Sequence, residues 1–258
     1  MDIRLDGRTA LITGGSKGLG LAMAKEFAAS GAEVAVVARR PEALEEAKAL
    51  IDGRAKGRVE AIAADVATVD GIRLAYDRAM AAFGRIDIIV NNAGKSETGK
   101  FEDITDAVWQ SDLDLKLFAA IRLTRLVFPQ MKERRWGRVI NILNTGAKAP
   151  GAGSAPTTIS RAAGLALTKV LAGEGAPHNV LVNALLVGVI ESDQWVRRAK
   201  AANTPYADFI RATGAKVPLG RLGTAQEFAN IACFLASDAG GYINGTAINV
   251  DGGASPVV

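Results

Sequence analysis

Short apolar runs alternate with longer amphipathic stretches along almost the whole chain. The runs have the length and the near-continuous apolar character of strands that are buried on both faces of a sheet. The predicted strands lie at 9–13, 33–38, 59–63, 86–90, 138–142, 180–185 and 247–250. The stretches between them have helical periodicity, and the predicted helices lie at 19–30, from 41 onward, 68–83, 103–132, 156–174 and 224–236.

The order of these elements predicts the fold class. Strands that alternate with helices form a parallel sheet, because right-handed crossovers place the helices on both of its faces. We therefore expect an α/β protein with a doubly wound Rossmann-type sheet, in a single domain that spans 1–258.

One segment, 191–217, breaks the alternation and is rich in polar and aromatic residues. In an open α/β sheet, an insertion beyond the carboxyl end of a strand commonly covers the ligand crevice. The segment is therefore predicted to be a substrate lid, and the alternative is a plain helical connection.

The composition excludes several classes of protein. Of 258 residues, 49% are hydrophobic and 22% are charged, which is typical of a globular chain and not of a disordered one. The chain has one cysteine, Cys233, and one histidine, His178. These counts argue against a disulfide framework, a metal centre built from histidine or cysteine, and a Ser-His-Asp hydrolase.

The net charge of +4 raises the question of a nucleic-acid partner. The densest basic run, 132–138, is predicted to be a solvated turn before a strand rather than a phosphate patch, and no nucleic-acid motif accompanies it. Segment 1–7 carries charge where a signal peptide needs apolar residues. No apolar stretch reaches the roughly 20 residues of a membrane span. We expect a cytoplasmic protein that binds neither nucleic acid nor a membrane.

The turn after the first predicted strand is rich in glycine. Gly14, Gly18 and Gly20 let the backbone turn tightly and approach a ligand closely. The helix that follows opens at Leu19 with unpaired N–H groups and the positive end of its dipole facing the turn. A pyrophosphate group is the expected ligand of such a turn between a strand and a helix.

The end of the second predicted strand indicates which dinucleotide binds. Proteins that hold NAD usually present an acidic residue there to the ribose, whereas an arginine accommodates a 2′-phosphate. This chain has Arg39 and Arg40 at that position, and Lys17 lies in the glycine turn. NADP(H) is therefore favoured over NAD(H), and the alternative is that the two arginines are merely exposed charges.

With these motifs in view, the chain resembles the short-chain dehydrogenases/reductases over essentially its whole length. The segments that carry the resemblance are the turn 13–20, Asp65-Val66, the Asn-Asn-Ala-Gly signature at 91–94, 183–188, and the later segments 220–223, 234–238, 244–245 and 251–253. The resemblance implies a seven-stranded sheet, a nicotinamide cofactor, and a homotetramer or homodimer. The cofactor residues that the turn, the arginine pair and the resemblance together predict are Gly14, Ser16, Lys17, Gly18, Leu19, Gly20, Arg39, Arg40, Asp65, Val66, Asn92, Ala93, Gly94, Arg161, Gly188, Ile190 and Ser192.

The catalytic positions of the family are occupied differently here. Segment 160–163 resembles the helix that carries the family's catalytic lysine, which places Arg161 at the lysine position. The tyrosine position is then Thr157, and the serine position is Asn144. On the preceding long helix, Lys116 occupies the position of the family's asparagine. The resemblance therefore makes Asn144, Thr157, Arg161 and Lys116 the candidate catalytic residues, with all four replaced.

These replacements have different chemical consequences. Asn144 can still donate a hydrogen bond to a carbonyl oxygen, and Arg161 can still hold ribose hydroxyls without passing protons. Thr157 is a poor general acid, because an aliphatic hydroxyl is far less acidic than a phenol. Lys116 is a candidate substitute if burial and Arg161 lower its pKa, and Tyr206 of the lid is another. The alternatives are a structural charge at Lys116 and lid packing at Tyr206.

Three functions stay open at this point. The first is an NADP(H)-dependent oxidoreductase that acts on a small carbonyl or alcohol by a modified proton path. The second is a catalytically degenerate NADP(H)-binding or regulatory protein, which the four replacements favour. The third is a non-redox enzyme on the same scaffold, which the intact glycine turn disfavours.

Overall fold

The structure, a computed structural model, describes residues 3–258 apart from the side chain of Asp193. Seven parallel strands form one sheet in the order β3-β2-β1-β4-β6-β8-β9, and β5 pairs with β7 in a separate two-stranded sheet. The strands are β1 (Thr9–Thr13), β2 (Glu33–Ala38), β3 (Val59–Ala63), β4 (Ile88–Asn91), β5 (Thr98–Gly99), β6 (Gly137–Asn144), β7 (Ala155–Pro156), β8 (Val180–Val187) and β9 (Ala247–Val250). This arrangement confirms the doubly wound, single-domain α/β fold that the alternation of elements predicts.

Helices cover both faces of the seven-stranded sheet. They are α1 (Gly18–Ala29), α2 (Pro41–Asp52), α3 (Val69–Phe83), α4 (Asp106–Leu113), α5 (Ala119–Glu133), α6 (Thr157–Gly175), α7 (Asp193–Ala201), α8 (Tyr206–Gly214) and α9 (Ala225–Ala236). On one face, Phe27 of α1 and Phe228 of α9 are fully buried against the sheet. On the other face, Ile72 of α3 and Leu123 of α5 belong to a second buried cluster.

The predicted helix at 103–132 is wrong in its start and in its continuity. Helix α4 begins later because the Thr105 side chain accepts a hydrogen bond from the backbone N–H of Val108 and caps it there. Between α4 and α5 the chain forms a π-helical segment, Asp114–Phe118, which contains Lys116. Single π turns inside α-helices frequently occur at functional sites.

Three predicted strands also differ from the observed ones. The strand predicted at 86–90 begins two positions later, at Ile88. The strand predicted at 138–142 extends to Asn144, and the strand predicted at 180–185 extends to Val187. Strand β6 pairs with β8 along its whole length, so that Asn144 lies opposite Val187 at the carboxyl edge of the sheet. Tertiary pairing therefore carries a candidate site residue to the edge where ligands bind in open α/β sheets.

The basic run 132–138 is only partly the solvated turn that its charges predict. Arg138 is buried, with 2% of its surface exposed, and its guanidinium lies 4.3 Å from the centre of the Trp136 ring. Burial lowers the pKa of Arg138 to about 10, and the nearby Asp238 opposes this change. The sequence does not predict this packing, because a charged residue type indicates exposure. An arginine can nevertheless bury its aliphatic chain and stack its planar guanidinium on an aromatic ring.

Segment 191–217 folds mainly into α7 and α8, which pack on each other after the carboxyl end of β8. The rings of Trp195 and Phe209 lie 6.4 Å apart between the two helices. The Trp195 indole N–H donates a hydrogen bond to the carbonyl oxygen of Ile190 at 2.6 Å, which ties α7 to the end of the sheet. Among residues 3–258, no helix has the length and apolar character needed to cross a bilayer.

Candidate active site

A cleft of about 1160 Å³ lies along the carboxyl ends of the parallel strands. Most of the predicted cofactor residues line this cleft, and Arg161 is one of them. Two other predicted catalytic residues, Asn144 and Thr157, line it as well. These residues are Gly14, Lys17, Gly18, Leu19, Gly20, Asn92, Ala93, Gly94, Asn144, Thr157, Arg161, Gly188, Ile190 and Ser192. The fold therefore brings residues from five separate segments of the chain to one surface.

The glycine turn between β1 and α1 has the backbone that a tight phosphate loop needs. Gly14 and Gly18 have φ angles of +67° and +53°, which lie in the left-handed region that favours glycine. A side chain on Gly18 would meet no atom within 4 Å, so the backbone here faces the open cleft. A Cβ on Gly20 would lie closer than 3.0 Å to the carbonyl oxygen of Gly14, so the first turn of α1 requires glycine.

Asn92, directly after the neighbouring strand β4, holds this turn in place. Its side-chain amide donates hydrogen bonds to the carbonyl oxygens of Thr13 and Gly14, at 2.9 and 3.1 Å. The Thr13 hydroxyl in turn accepts hydrogen bonds from the backbone N–H groups of Asn92 and Ala93. The turn is therefore braced before any ligand binds, which lowers the conformational cost of binding.

The remaining predicted cofactor residues lie beside the cleft rather than in its wall. Arg39 and Arg40 follow β2 and are exposed, and no hydrogen bond or ion pair joins either guanidinium to residues 3–258. Lys17, which does line the cleft, is exposed as well. These three cations are free to contact a phosphate group. Val66 is buried, and the Asp65 carboxylate accepts a hydrogen bond from the backbone N–H of Ala67 at 3.0 Å. Ser16 is half-buried in the glycine turn.

Lys116 does not line the cleft but lies directly behind it. Its side chain is fully buried, and Nζ donates hydrogen bonds to the Asp112 carboxylate and, over 2.7 Å, to Thr157 Oγ1. Burial lowers the pKa of Lys116, and the positive charge of Arg161 lowers it further, whereas the Asp112 carboxylate opposes both. Lys116 is therefore a buried cationic group that water does not reach directly.

Thr157 connects this buried pair to the cleft. Its hydroxyl donates a hydrogen bond to the Glu97 carbonyl oxygen at 2.6 Å and accepts one from the Glu97 backbone N–H at 2.9 Å. The Glu97 side chain is ion-paired with Lys95 at 2.7 Å, and that hydrogen bond lowers the pKa of Glu97. Glu97 is therefore a carboxylate at neutral pH and not a proton donor.

Arg161 occupies the cleft wall one turn after Thr157. Its guanidinium donates a hydrogen bond to the carbonyl oxygen of Ile142 at 2.7 Å and packs against Gly94, where a Cβ would lie closer than 3.0 Å to the guanidinium nitrogen Nη2. Removal from water lowers the pKa of Arg161 to about 10, so the group still carries its charge at neutral pH. It can hold ribose hydroxyls or a substrate oxygen, but it is not a proton donor near neutral pH.

Asn144 ends β6 at the floor of the cleft. Its side-chain oxygen is buried and has no hydrogen-bond partner among residues 3–258. Buried polar atoms are paired in most proteins, and an unpaired one at a cleft is a position for a ligand group or a bound water. The site therefore has one acceptor that a hydroxyl or amide of a ligand could satisfy.

Three residues of this site are not among those that the sequence indicates. Asp112 and Ser160 join Lys116 in the buried hydrogen-bond network, and Glu97 holds the Thr157 hydroxyl through its backbone. The spacing of Asp112 and Lys116, four residues apart in a predicted helix, is the one signal that could have found the pair. Nothing local identifies Ser160 or the Glu97 backbone, because both contacts cross between distant parts of the chain.

The parallel sheet, whose strand order reverses between β1 and β4, and the braced glycine turn define a Rossmann-type fold, and this arrangement is typical of dinucleotide-binding proteins. Comparison with known proteins identifies the family. A family model described as enoyl-(acyl carrier protein) reductase matches residues 14–255. The chain belongs to the short-chain dehydrogenase/reductase family, which is a family of oxidoreductases.

Individual relatives agree with this assignment. The 3-oxoacyl-(acyl-carrier-protein) reductase FabG of Aquifex aeolicus is 30% identical, over 98% of this chain and 99% of its own. Oxidoreductase UcpA of Escherichia coli strain K12 is 34% identical, over 98% of this chain and 96% of its own. Among solved structures, the L-sorbose reductase of Gluconobacter frateurii, complexed with NADPH and L-sorbose, matches with a TM-score of 0.96 and 32% identity over 100% of both chains.

Proposed function

We propose that this protein is an NADP(H)-dependent oxidoreductase that acts on a small carbonyl or alcohol, with Lys116 and Thr157 as its proton path. One observation carries the proposal: Nζ of the buried Lys116 lies 2.7 Å from the hydroxyl of Thr157, which lines the cleft. This contact gives the site a proton donor at the position where the family places its tyrosine.

The cofactor preference rests on charge. Lys17, Arg39 and Arg40 lie in or beside the braced glycine turn, and the two positions directly after β2 are arginines rather than acidic residues. A guanidinium matches the geometry of a phosphate group, so the arginines favour the 2′-phosphate of NADP(H). The NADPH in the related L-sorbose reductase structure supports the same preference. When bound, the nicotinamide supplies or accepts the hydride, and the protein must manage the proton.

The proton path follows from the hydrogen bonds of Thr157. In the reducing direction, the substrate carbonyl carbon gains a hydride and its oxygen gains the proton of the Thr157 hydroxyl. Lys116 returns a proton to Thr157 Oγ1 in the same step, so that no free alkoxide forms on Thr157. Lys116 ends as a neutral amine, and after the product leaves, a proton from solvent in the cleft restores the ammonium through the Thr157 hydroxyl, which lines the cleft. In the oxidising direction, each transfer runs in reverse.

Two further residues of the cleft position the substrate in this proposal. Asn144 presents its amide to the substrate oxygen, and its unpaired side-chain oxygen accepts a hydrogen bond from a neighbouring hydroxyl. Arg161 holds the cofactor ribose against the cleft wall. Segment 191–217 acts as the lid: Ser192 and Trp195, before and within α7, line the cleft, and α8 packs on α7.

A second function, NADP(H) binding without turnover, is favoured by a different observation. The Thr157 hydroxyl already donates its proton to the Glu97 carbonyl oxygen at 2.6 Å. If the hydroxyl keeps this hydrogen bond when substrate binds, Thr157 only fixes the loop before β5. The two functions therefore differ in whether the Thr157 proton can turn toward the cleft.

A two-part experiment separates these functions. NADPH binding is measured first by fluorescence titration, and NADPH consumption is then followed with a panel of ketones, aldehydes and keto acids. The same assays are applied to Thr157→Val and to the paired variant Asp112→Leu/Lys116→Met, in which no unpaired buried charge is left behind. We expect wild-type turnover and a fall in kcat of about 10²- to 10⁴-fold in both variants, with NADPH affinity retained.

Other outcomes would contradict the proposal. A folded wild-type protein that binds NADPH and consumes none of it with any carbonyl on the panel would support binding without turnover. Full activity in both variants would show that the proton reaches the substrate by another path. No NADPH binding at millimolar concentration would contradict both functions.

A further inference from the structure

The buried network behind the cleft contains one carboxylate, Asp112, with both oxygens in use. One oxygen accepts a hydrogen bond from Lys116 Nζ, and the other accepts one from Ser160 Oγ at 2.7 Å. Asp112 is 1% exposed, and the side chains of Asp112 and Lys116 are both shielded completely from solvent. Two hydrogen bonds from different elements therefore fix both the position and the orientation of the carboxylate.

This network is not explained by stability alone. Burying an ion pair costs desolvation free energy that the attraction between the charges often fails to recover, and apolar residues of similar volume are frequently as stable. Only one member of the network reaches the cleft. Thr157 lines it, whereas the other three residues do not: Asp112, Lys116 and Ser160. The buried charges therefore act on the cleft through one hydroxyl.

We propose that Asp112 is a positioning residue that holds the Lys116 ammonium against Thr157 and keeps it protonated, and that Ser160 orients Asp112 for this purpose. The inference rests on the proposed proton path through Lys116 and Thr157. Nothing in that path by itself requires Asp112, because a lysine alone could donate the proton.

The charges around Lys116 show why a carboxylate is needed. Burial and the Arg161 guanidinium both favour the neutral amine, and they lower the pKa of Lys116. The Asp112 carboxylate favours the ammonium most strongly, through its hydrogen bond and its charge, and Glu97 contributes a smaller attraction. Removing the charge of Asp112 would leave Arg161 and desolvation largely unopposed, so the ammonium would lose its proton at a lower pH.

The pH dependence of kcat tests this role in the reducing direction. A proton donor must be protonated, so activity falls as pH rises through the pKa of Lys116. Asp112→Asn keeps the shape of the side chain and removes its charge. We expect the pH at which kcat falls to move down by at least about one unit, which is a tenfold change in the protonation equilibrium. NADPH affinity is expected to stay unchanged.

Two further variants provide the comparison. Asp114→Asn removes a negative charge two residues after Asp112. Asp114 is half-buried and pairs with Arg122 at 3.0 Å, so the pH profile of this variant should be that of the wild type. Ser160→Ala removes the second hydrogen bond to Asp112. It should lower kcat severalfold with KM unchanged, and it should not move the profile downward, because the carboxylate keeps its charge.

The outcomes distinguish this inference from the function on which it rests. If Thr157→Val is inactive while Asp112→Asn has the wild-type kcat and pH profile, the positioning role is wrong and the proton path stands. If Thr157→Val is fully active, the proton path itself is wrong. Should Asp112→Asn fail to fold, wild-type kcat and pH profile in Ser160→Ala would overturn the inference.

Discussion

Arg161 and Ile142 join helix α6 to the sheet at the cleft: the guanidinium donates a hydrogen bond to the Ile142 carbonyl oxygen at 2.7 Å. The carbonyl belongs to β6, two residues before Asn144 at the end of the strand. The hydrogen bond fixes the guanidinium in the cleft wall between Gly94 and the candidate catalytic residues. A positive charge is therefore held at a fixed position facing the space where a cofactor would bind.

Removing that charge should weaken cofactor binding. For Arg161→Ala we expect NADPH affinity to fall by about tenfold or more, which is the size expected for losing a hydrogen bond from a charged group. Fluorescence titration measures the change. Arg125→Ala, on the exposed side of α5, serves as the control and should bind NADPH as the wild type does. Equal affinity in both variants would mean that Arg161 does not contact the cofactor.

The arginine pair after β2 should decide which dinucleotide binds. In Arg39→Ala/Arg40→Ala we expect the dissociation constant for NADPH to rise by about tenfold or more, because charge-assisted contacts to the 2′-phosphate are lost. The constant for NADH should hardly change. Arg54→Ala removes an exposed charge after α2 and should affect neither cofactor. A parallel loss for NADPH and NADH would contradict recognition of the 2′-phosphate.

The first turn of α1 should not tolerate a side chain at Gly20. In Gly20→Ala the new Cβ would clash with the Gly14 carbonyl oxygen, so we expect a lower Tm and loss of NADPH binding. Gly173→Ala is the matched control, because a Cβ there would meet no atom within 4 Å. That variant should be more stable by roughly 0.5–1 kcal/mol, since alanine favours a helix over glycine. Thermal unfolding with and without NADPH measures both effects.

Tyr206 should be dispensable for proton transfer. The residue opens α8, is 43% exposed and does not line the cleft. We therefore expect Tyr206→Phe to keep the wild-type kcat, measured with any carbonyl that the wild-type protein reduces. A fall of about 100-fold, the size expected for losing a general acid, would show instead that lid closure brings this phenol to the substrate.

Much of the architecture could be predicted from local pattern. Apolar runs bounded by turns identify the strands of a parallel sheet, since such strands are buried on both faces. The glycine turn at 13–20 and the signature at 91–94 indicate the family, and the comparisons confirm it. The predicted ends of strands are wrong where pairing with a neighbouring strand determines them. Strand β6, for example, continues to Asn144 because it pairs with β8 up to that residue.

The sequence alone thus determined the fold class and the glycine turn, because each depends on residue type over short spacings. The candidate catalytic residues follow from the family resemblance and stay a prediction, and only the tertiary structure decided which of them contact one another. The hydrogen bond between Lys116 and Thr157 joins residues 41 positions apart, and that between Asp112 and Ser160 spans 48 positions. The packing of the whole chain sets the burial and the partners of each side chain, and these determine whether a lysine is a solvated charge or a buried one behind a cleft.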